Sequence, residues 1–355
     1  MRLFFLILFF PLALLAQDGH EGHDHGGGGL DGLNFLGAAD LFLPVHFDQN
    51  QVDENRLRIR SAELSISGSV DQYFEGTLTF AGHSHGGNFL WDVHEAYLRT
   101  NDYLWENTEV KVGKFLLGIG RLNQIHQHEW LFTEAPRVHR QFFAEEAAMD
   151  TGAEVRHRFN ETFNLTAGVT NGYCYGHCDQ LGRRPLAPVH YLRGEVATDD
   201  SRTGLNYWGY TDFSGERVWH TGVDFVWKKM SHGRAKHLIQ TETYYRNKIP
   251  ELGAASVHAG TYLYYQRTWN RRLSSGLRAD LFSELNRRWE LVDEKRDNLD
   301  YALTLNSTYR AGEYSTLRGG LVHEALTQRG VAAVVDNRVE LQLVYLLGSH
   351  PPHGF

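Results

Sequence analysis

Apolar and polar residues alternate with a period of two through most of this chain. From Val257 to Tyr265 one face reads Val257, Ala259, Thr261, Leu263 and Tyr265, and the other reads His258, Gly260, Tyr262, Tyr264 and Gln266. Leu273, Ser275, Leu277, Ala279 and Leu281 stand against Gly276, Arg278 and Asp280 in the same way. Leu299, Tyr301, Leu303 and Leu305 stand against Asp300, Thr304 and Asn306, and Val339, Leu341, Leu343, Tyr345 and Leu347 against Arg338, Glu340 and Gln342. An apolar face and a charged face repeating every second residue predict half-buried strands. Repeated along a chain with an export signal, they predict a barrel with lipid outside and a polar interior.

The alternation predicts sixteen strands, near 33–43, 57–70, 72–82, 91–100, 108–118, 151–159, 163–171, 190–198, 204–213, 220–229, 234–247, 254–268, 273–285, 296–309, 315–325 and 336–348. Connections after even-numbered strands are short. Those after odd-numbered strands are mostly longer, with 119–150 and 172–189 the longest. Outer-membrane barrels have short periplasmic turns and long external loops, so both ends of the barrel are expected in the periplasm. Tyr103, Trp105, Trp227, Trp269 and Tyr309 fall at the expected periplasmic ends, and Trp208, Trp219 and Trp289 at the external ends. Tyr and Trp favour both bilayer interfaces. They are also common in any sheet.

Residues 1–16 read as a cleaved signal peptide, with Arg2, an apolar run from Phe4 to Leu15, and Ala16 before Gln17. The apolar run is too short for a spanning helix. Without helices of spanning length, only a closed barrel satisfies the backbone inside a bilayer. Residues 17–32 are rich in His, Asp and Gly and have nothing apolar before Leu30, so they are expected to be disordered in the periplasm. The barrel domain is then 33–355. The chain has 36 Gly, 17 Tyr and 8 Trp, and its mean hydropathy is negative. That composition suits a barrel, because half of every strand faces water, and it suits a soluble all-β protein as well. A net charge of −8 gives no reason to expect nucleic acid as a partner.

Gly113-Lys114-Phe115 followed by Gly120-Arg121-Leu122-Asn123-Gln124-Ile125-His126-Gln127-His128 resembles a stretch of porin-like outer-membrane proteins related to the phosphate-selective porin O/P superfamily, some of them termed zinc-regulated. The segment Ala62 to Gly68, Asp150-Thr151-Gly152 and the end Gly348 to Phe355 are similar as well. The resemblance implies an outer-membrane barrel of a Gram-negative bacterium that passes small polar solutes or metal ions. It also implies dealings with the barrel-insertion machinery, and a homotrimer. Two features depart from that family. The expected inward residues mix Glu75, Glu95, Glu154, Glu195, Asp224, Glu242, Asp280 and Glu340 with Arg99, Arg156, Arg158, Arg193, Lys228, Arg246, Arg278 and Arg338, with no bias towards anions. Phe355 follows two prolines, which cannot continue a strand ladder, instead of ending the last strand.

Segment 119–150 carries Arg121, His126, His128, Glu129, Glu134, Arg137, His139, Arg140, Glu145 and Glu146, with one proline and no glycine after Arg121. A connection this long is usually functional. It is expected either to fold into the barrel as a constriction formed by Arg121, His126, His128, Glu129, Arg137, His139 and Arg140, or to cap the barrel outside. Charged side chains at a constriction select solutes.

Twenty histidines include three groups with ligand-like spacing: His20, His23 and His25; His83 and His85; and His126 with His128. Imidazoles bind zinc, so Zn2+ is a candidate ligand of the leader, although no cofactor is required. Cys174 and Cys178 are candidates for a local disulfide in an exported protein. No Ser–His pairing marks a lipid-hydrolysing barrel, so no catalytic residue is expected. A non-conducting structural or adhesive barrel is the alternative reading. Isothermal titration of a peptide spanning 17–29 with zinc tests the leader. Saturable binding is expected, and a flat titration removes the metal reading of that segment.

Overall fold

The computed structural model describes residues 32–48, 55–85, 88–143, 147–172, 188–211, 215–231, 233–252, 255–287, 298–328 and 331–348. From Leu33 onward they belong to one compact unit. The expected signal peptide, His20, His23, His25, Cys174, Cys178 and Phe355 lie outside these residues.

Sixteen strands form one closed antiparallel barrel. They are β1 (Leu33–His46), β2 (Arg58–Ser69), β3 (Phe74–His85), β4 (Asn88–Thr100), β5 (Thr108–Leu116), β6 (Met149–Arg158), β7 (Phe163–Thr170) and β8 (Val189–Ala197). There follow β9 (Ser201–Thr211), β10 (Arg217–Ser231), β11 (Arg234–Ile249), β12 (Ser256–Thr268), β13 (Leu273–Arg287), β14 (Asn298–Arg310), β15 (Ser315–Gln328) and β16 (Val331–Gly348). Each strand pairs with its neighbours in sequence. β1 closes the ring on β16 from Leu36 opposite Gly348 to His46 opposite Arg338. Closure leaves no unpaired edge to meet lipid.

Strand existence follows the alternation, and most boundaries shift by a few residues, with two connections shortened the most. β3 runs to His85 and β4 starts at Asn88, while β15 runs to Gln328 and β16 starts at Val331. The expected connections 83–90 and 326–335 are therefore mostly strand. β-branched residues such as Val334 and Val335 carry the pleat further than the polar residues around them suggest.

The faces are inverted relative to a soluble protein. On β14, Leu303 and Leu305 are about half exposed, while Thr304 and Asn306 are buried. On β12, Leu263 is exposed between fully buried Tyr262 and Tyr264. The exposed apolar belt is the surface that lipid covers. Tyr103, Trp105, Trp269 and Tyr309 are exposed at the short-turn end. Trp208 departs from the expected aromatic belt. It shares the inward face of β9 with Asn206, and it is fully buried inside the barrel. A bulge in β4 shifts the register opposite Thr79 and Phe80, so consecutive His94 and Glu95 are both buried.

The belt generates a measurable consequence. Leu303→Arg places a charge at mid-belt and should destabilise the folded barrel by about 2–4 kcal/mol in vesicles. Tyr309→Arg, near the interface, should cost about 1 kcal/mol or less. Urea unfolding in lipid vesicles compares the two. Equal effects would rule out a lipid-facing belt.

Candidate functional site: a segment folded across the lumen

The described residues of the 117–148 connection, 117–143 with 147 and 148, follow β5 at its long-loop end and lie inside the barrel; they do not cap it. The base of this segment is clamped by Asn123. Its Nδ2 donates to the Leu117 carbonyl at 2.9 Å and the Ala148 carbonyl at 3.1 Å, and its Oδ1 accepts from the Ala148 amide at 2.6 Å. Three amides of the segment then reach acceptors on the wall. Gly118 donates to Glu154 on β6 at 3.0 Å, Gly120 to Asn206 on β9 at 2.8 Å, and Leu122 to Glu242 on β11 at 2.8 Å. Irregular backbone is tolerated inside a barrel only where such partners satisfy it. Gly120 has φ +65°, and a Cβ there would collide with the Tyr244 hydroxyl. Only glycine meets both demands.

The middle of the segment is an apolar core inside a polar barrel. Leu117, Ile119, Leu122, Trp130, Phe132, Val138 and Phe143 are essentially inaccessible. They pack with Phe142 against Trp208, Tyr244, Tyr262, Tyr264 and Phe282 from the wall. Phe143 stacks on Trp208 with centroids 5.1 Å apart, and Trp208 stacks on His220 at 4.3 Å. The period-two pattern does contain the signal for this core, in aromatic residues on the inward face of β9, β11 and β12.

The structure divides the expected constriction residues into groups. His126 places Nδ1 3.1 Å from Glu63 and Nε2 3.1 Å from Glu95, and His128 places Nδ1 3.1 Å from Glu63. Glu129 lies beside them, its Oε1 3.8 Å from His128 Nε2. Together they border a cavity of about 370 Å³ that also exposes Ser65, Thr79 and Lys111. Packed on β11, β12 and β13, the short helix α1 (Arg137–Phe142) carries Arg137 and Arg140. Arg137 pairs with Asp300 at 2.7 Å, and Arg140 with Glu324 at 2.8 Å. Arg338 joins this second group through Glu134 at 2.9 Å, Glu324 at 3.1 Å and Glu340 at 2.7 Å. Arg121 faces β10, apart from both groups. His139 packs edge-on against Trp130 in the aromatic core. Glu63 is the residue that inspection of the sequence misses. It shares an inward face with Ser61, Ser65 and Ser67, and that alternation is its only signal.

His83 sits on β3, buried, with Nε2 2.9 Å from Nε2 of His94 and the rings stacked at 4.6 Å. His85 ends the same strand. Among the described residues no group of three or more His, Cys, Asp or Glu side chains is arranged to hold a metal ion. His323, on β15, bonds Asn337 across the strand pair at 2.8 Å.

Charge fixes the protonation of the segment. Burial alone would raise Glu134, but Arg338, Arg140, Arg60 and Arg278 outweigh it and hold its carboxyl at about 2. Burial would lower His126, but the Glu63 and Glu95 carboxylates hold it well above the ordinary imidazole value. A folded-state value above the unfolded one stabilises fully below the ordinary histidine range and is lost as pH rises through the raised value. Hydrogen exchange of the Ile125–Trp130 amides, corrected for intrinsic rate, should therefore show protection falling on the alkaline side of that range. His126→Gln should flatten the response. An identical pH response in that variant would discount the His126 anchor.

No protein-family model matches the chain. A protein of Aquifex aeolicus described as uncharacterized is 30% identical over 378 residues, covering 95% of this chain and 73% of its own length. Among solved structures, an anion-selective porin from Comamonas acidovorans superposes with a TM-score of 0.64 at 8% identity, over 89% of this chain and 99% of that one. The outer membrane channel DcaP of Acinetobacter baumannii gives 0.63 at 12% identity, over 89% and 96%. The trimer form of OmpT, an outer membrane protein of Vibrio cholerae, gives 0.56 at 11% identity, over 89% and 99%. At these identities the solved structures speak for the fold. The chain belongs to the family of the Aquifex aeolicus protein, and its fold is the sixteen-stranded barrel of outer-membrane porins.

Proposed function

We propose that this protein is an outer-membrane channel for passive passage of small polar solutes or ions, narrowed at mid-depth by residues 117–148. The observation that carries the reading is the segment itself. It is anchored by charged side chains to β2 and β4 at one end and to β14 and β15 at the other, and it turns a wide lumen into smaller polar cavities such as the 370 Å³ one beside His126. A sixteen-stranded barrel without such a segment would leave an aqueous channel. Solutes pass the segment along its charged flanks, where His126, His128 and Glu129 stand on one side and Arg137 and Arg140 on the other. Arg121 guards the β10 side.

Within this class, the motifs at Gly113 and Gly120 support kinship with the phosphate-selective porin O/P superfamily. They and the trimer form named for the Vibrio cholerae protein support a homotrimer. A link to zinc rests on the leader histidines. We assign the chain no enzymatic role.

The dense aromatic packing of the segment favours a second reading, a barrel that does not conduct. One experiment separates the two. Planar-bilayer recordings of the refolded protein should show discrete conductance steps, and deletion of 126–143 should enlarge them severalfold. Steps of unchanged size after the deletion would refute the constriction. A silent wild type that conducts only after deletion would favour the closed barrel.

A further inference from the structure

We propose that the short-turn side of the lumen holds a binding site for a small organic anion with a short hydrocarbon chain. The site lies between β10, β11 and the internal segment, and its place in a passage rests on the channel reading above. Two observations meet there. The first is apolar surface where a lumen is normally polar. Val226 and Leu238 occupy inward positions of β10 and β11, in line with Asp224 and Gln240, and are 1% and 5% exposed. Ile125 and Leu131 of the segment pack towards them, and all four line one cavity of about 300 Å³. Water in that space meets hydrocarbon on two sides, so a hydrocarbon chain replaces it favourably.

The second observation is charge. Arg121 and Lys228 line the same cavity, and Arg121 and Arg202 act electrostatically on Lys228. Below it the space opens into a vestibule of about 380 Å³ that shares Glu129, Leu131 and Lys228. The vestibule walls add Arg234, Arg271, Arg272, Arg310 and Arg318, against Glu129 as the only carboxylate lining either cavity among the described residues. Arg318 is 8% exposed, and its Nη1 donates to Gln342 at 2.9 Å while its Nε has no hydrogen-bond partner. The basic excess is local. On the β3–β6 side of the same mouth, Arg99 pairs with Glu75 at 2.5 Å and Arg158 with Asp102 at 2.7 Å. A cleft lined by one sign of charge concentrates counter-ions within it. Here the cleft offers Arg121 and Lys228 to a carboxylate and four aliphatic side chains to its tail.

Isothermal titration of the full-length barrel in lipid nanodiscs, with empty nanodiscs subtracted, tests the site with acetate, butyrate, hexanoate and sulfate. Affinity should rise from acetate to hexanoate, by roughly fourfold per buried methylene, and sulfate should bind more weakly than hexanoate. Lys228→Gln should weaken all the carboxylates, and Leu238→Asn should flatten the chain-length dependence while sparing acetate. The chain-length series on the wild type stands alone if either variant fails to fold. Affinities independent of chain length, or sulfate binding as tightly as hexanoate, would overturn the inference. A protein that conducts but binds no hexanoate would overturn the site and leave the channel. Hexanoate binding by a barrel silent in bilayers would support the site and count against the channel.

Discussion

Closure of the sheet is the constraint on which everything else depends. In hydrocarbon an unpaired amide or carbonyl costs several kcal/mol, so β1 must find β16 and no edge can remain. Closing sixteen strands then creates an interior too wide for wall side chains to fill. Such an interior is either flooded or occupied. This chain occupies it with residues 117–143, and the wall supplies what that segment needs. Glu154, Asn206 and Glu242 accept from its amides, and Trp208, Tyr244, Tyr262 and Tyr264 receive its aromatic side chains.

That arrangement gives the inward charges a meaning other than selectivity. Most of those near mid-depth face partners of opposite sign. Arg193 pairs with Asp224 and with Glu195, Arg278 with Asp280, and Arg338 with three wall carboxylates and Glu134. Such buried pairs contribute little net stability, but each position is costly to vacate on one side only, which fixes the path of the segment. The exception is the mouth beneath β10–β15, where arginines gather around a single carboxylate. A balanced census of inward residues conceals this separation, because it counts the paired charges of the wall together with the arginines of the β10–β15 mouth.

The segment is also held unevenly. Its contact between Glu134 and Arg338 persists over the whole physiological range, because the surrounding arginines hold the Glu134 carboxyl low. His126, by contrast, is held most firmly while Glu63 and Glu95 face an imidazolium. The part of the segment bordering the 370 Å³ cavity therefore depends on a proton, whereas the part on α1 does not.

The amino-acid sequence by itself determined the strands, their number and the facing of nearly every side chain. A period of two is a local property of the pleated backbone, and the lipid belt imposes it on each strand in turn. Leu303 and Thr304 can be assigned to opposite faces with no knowledge of their neighbours. The sequence also marked 119–150 as a functional segment by its length and charge, but left open whether it lay inside or outside. Only the tertiary structure decided that, because the choice depends on whether residues 86 to 207 positions away in the chain, such as Asn206 and Glu340, present acceptors and aromatic rings to it. The pairing of His126 with Glu63 and Glu95, the placement of His139 in the core, and the separation of charge between the two sides of the mouth have the same origin. They are contacts across the barrel, and a pattern read along one strand carries no information about what stands opposite.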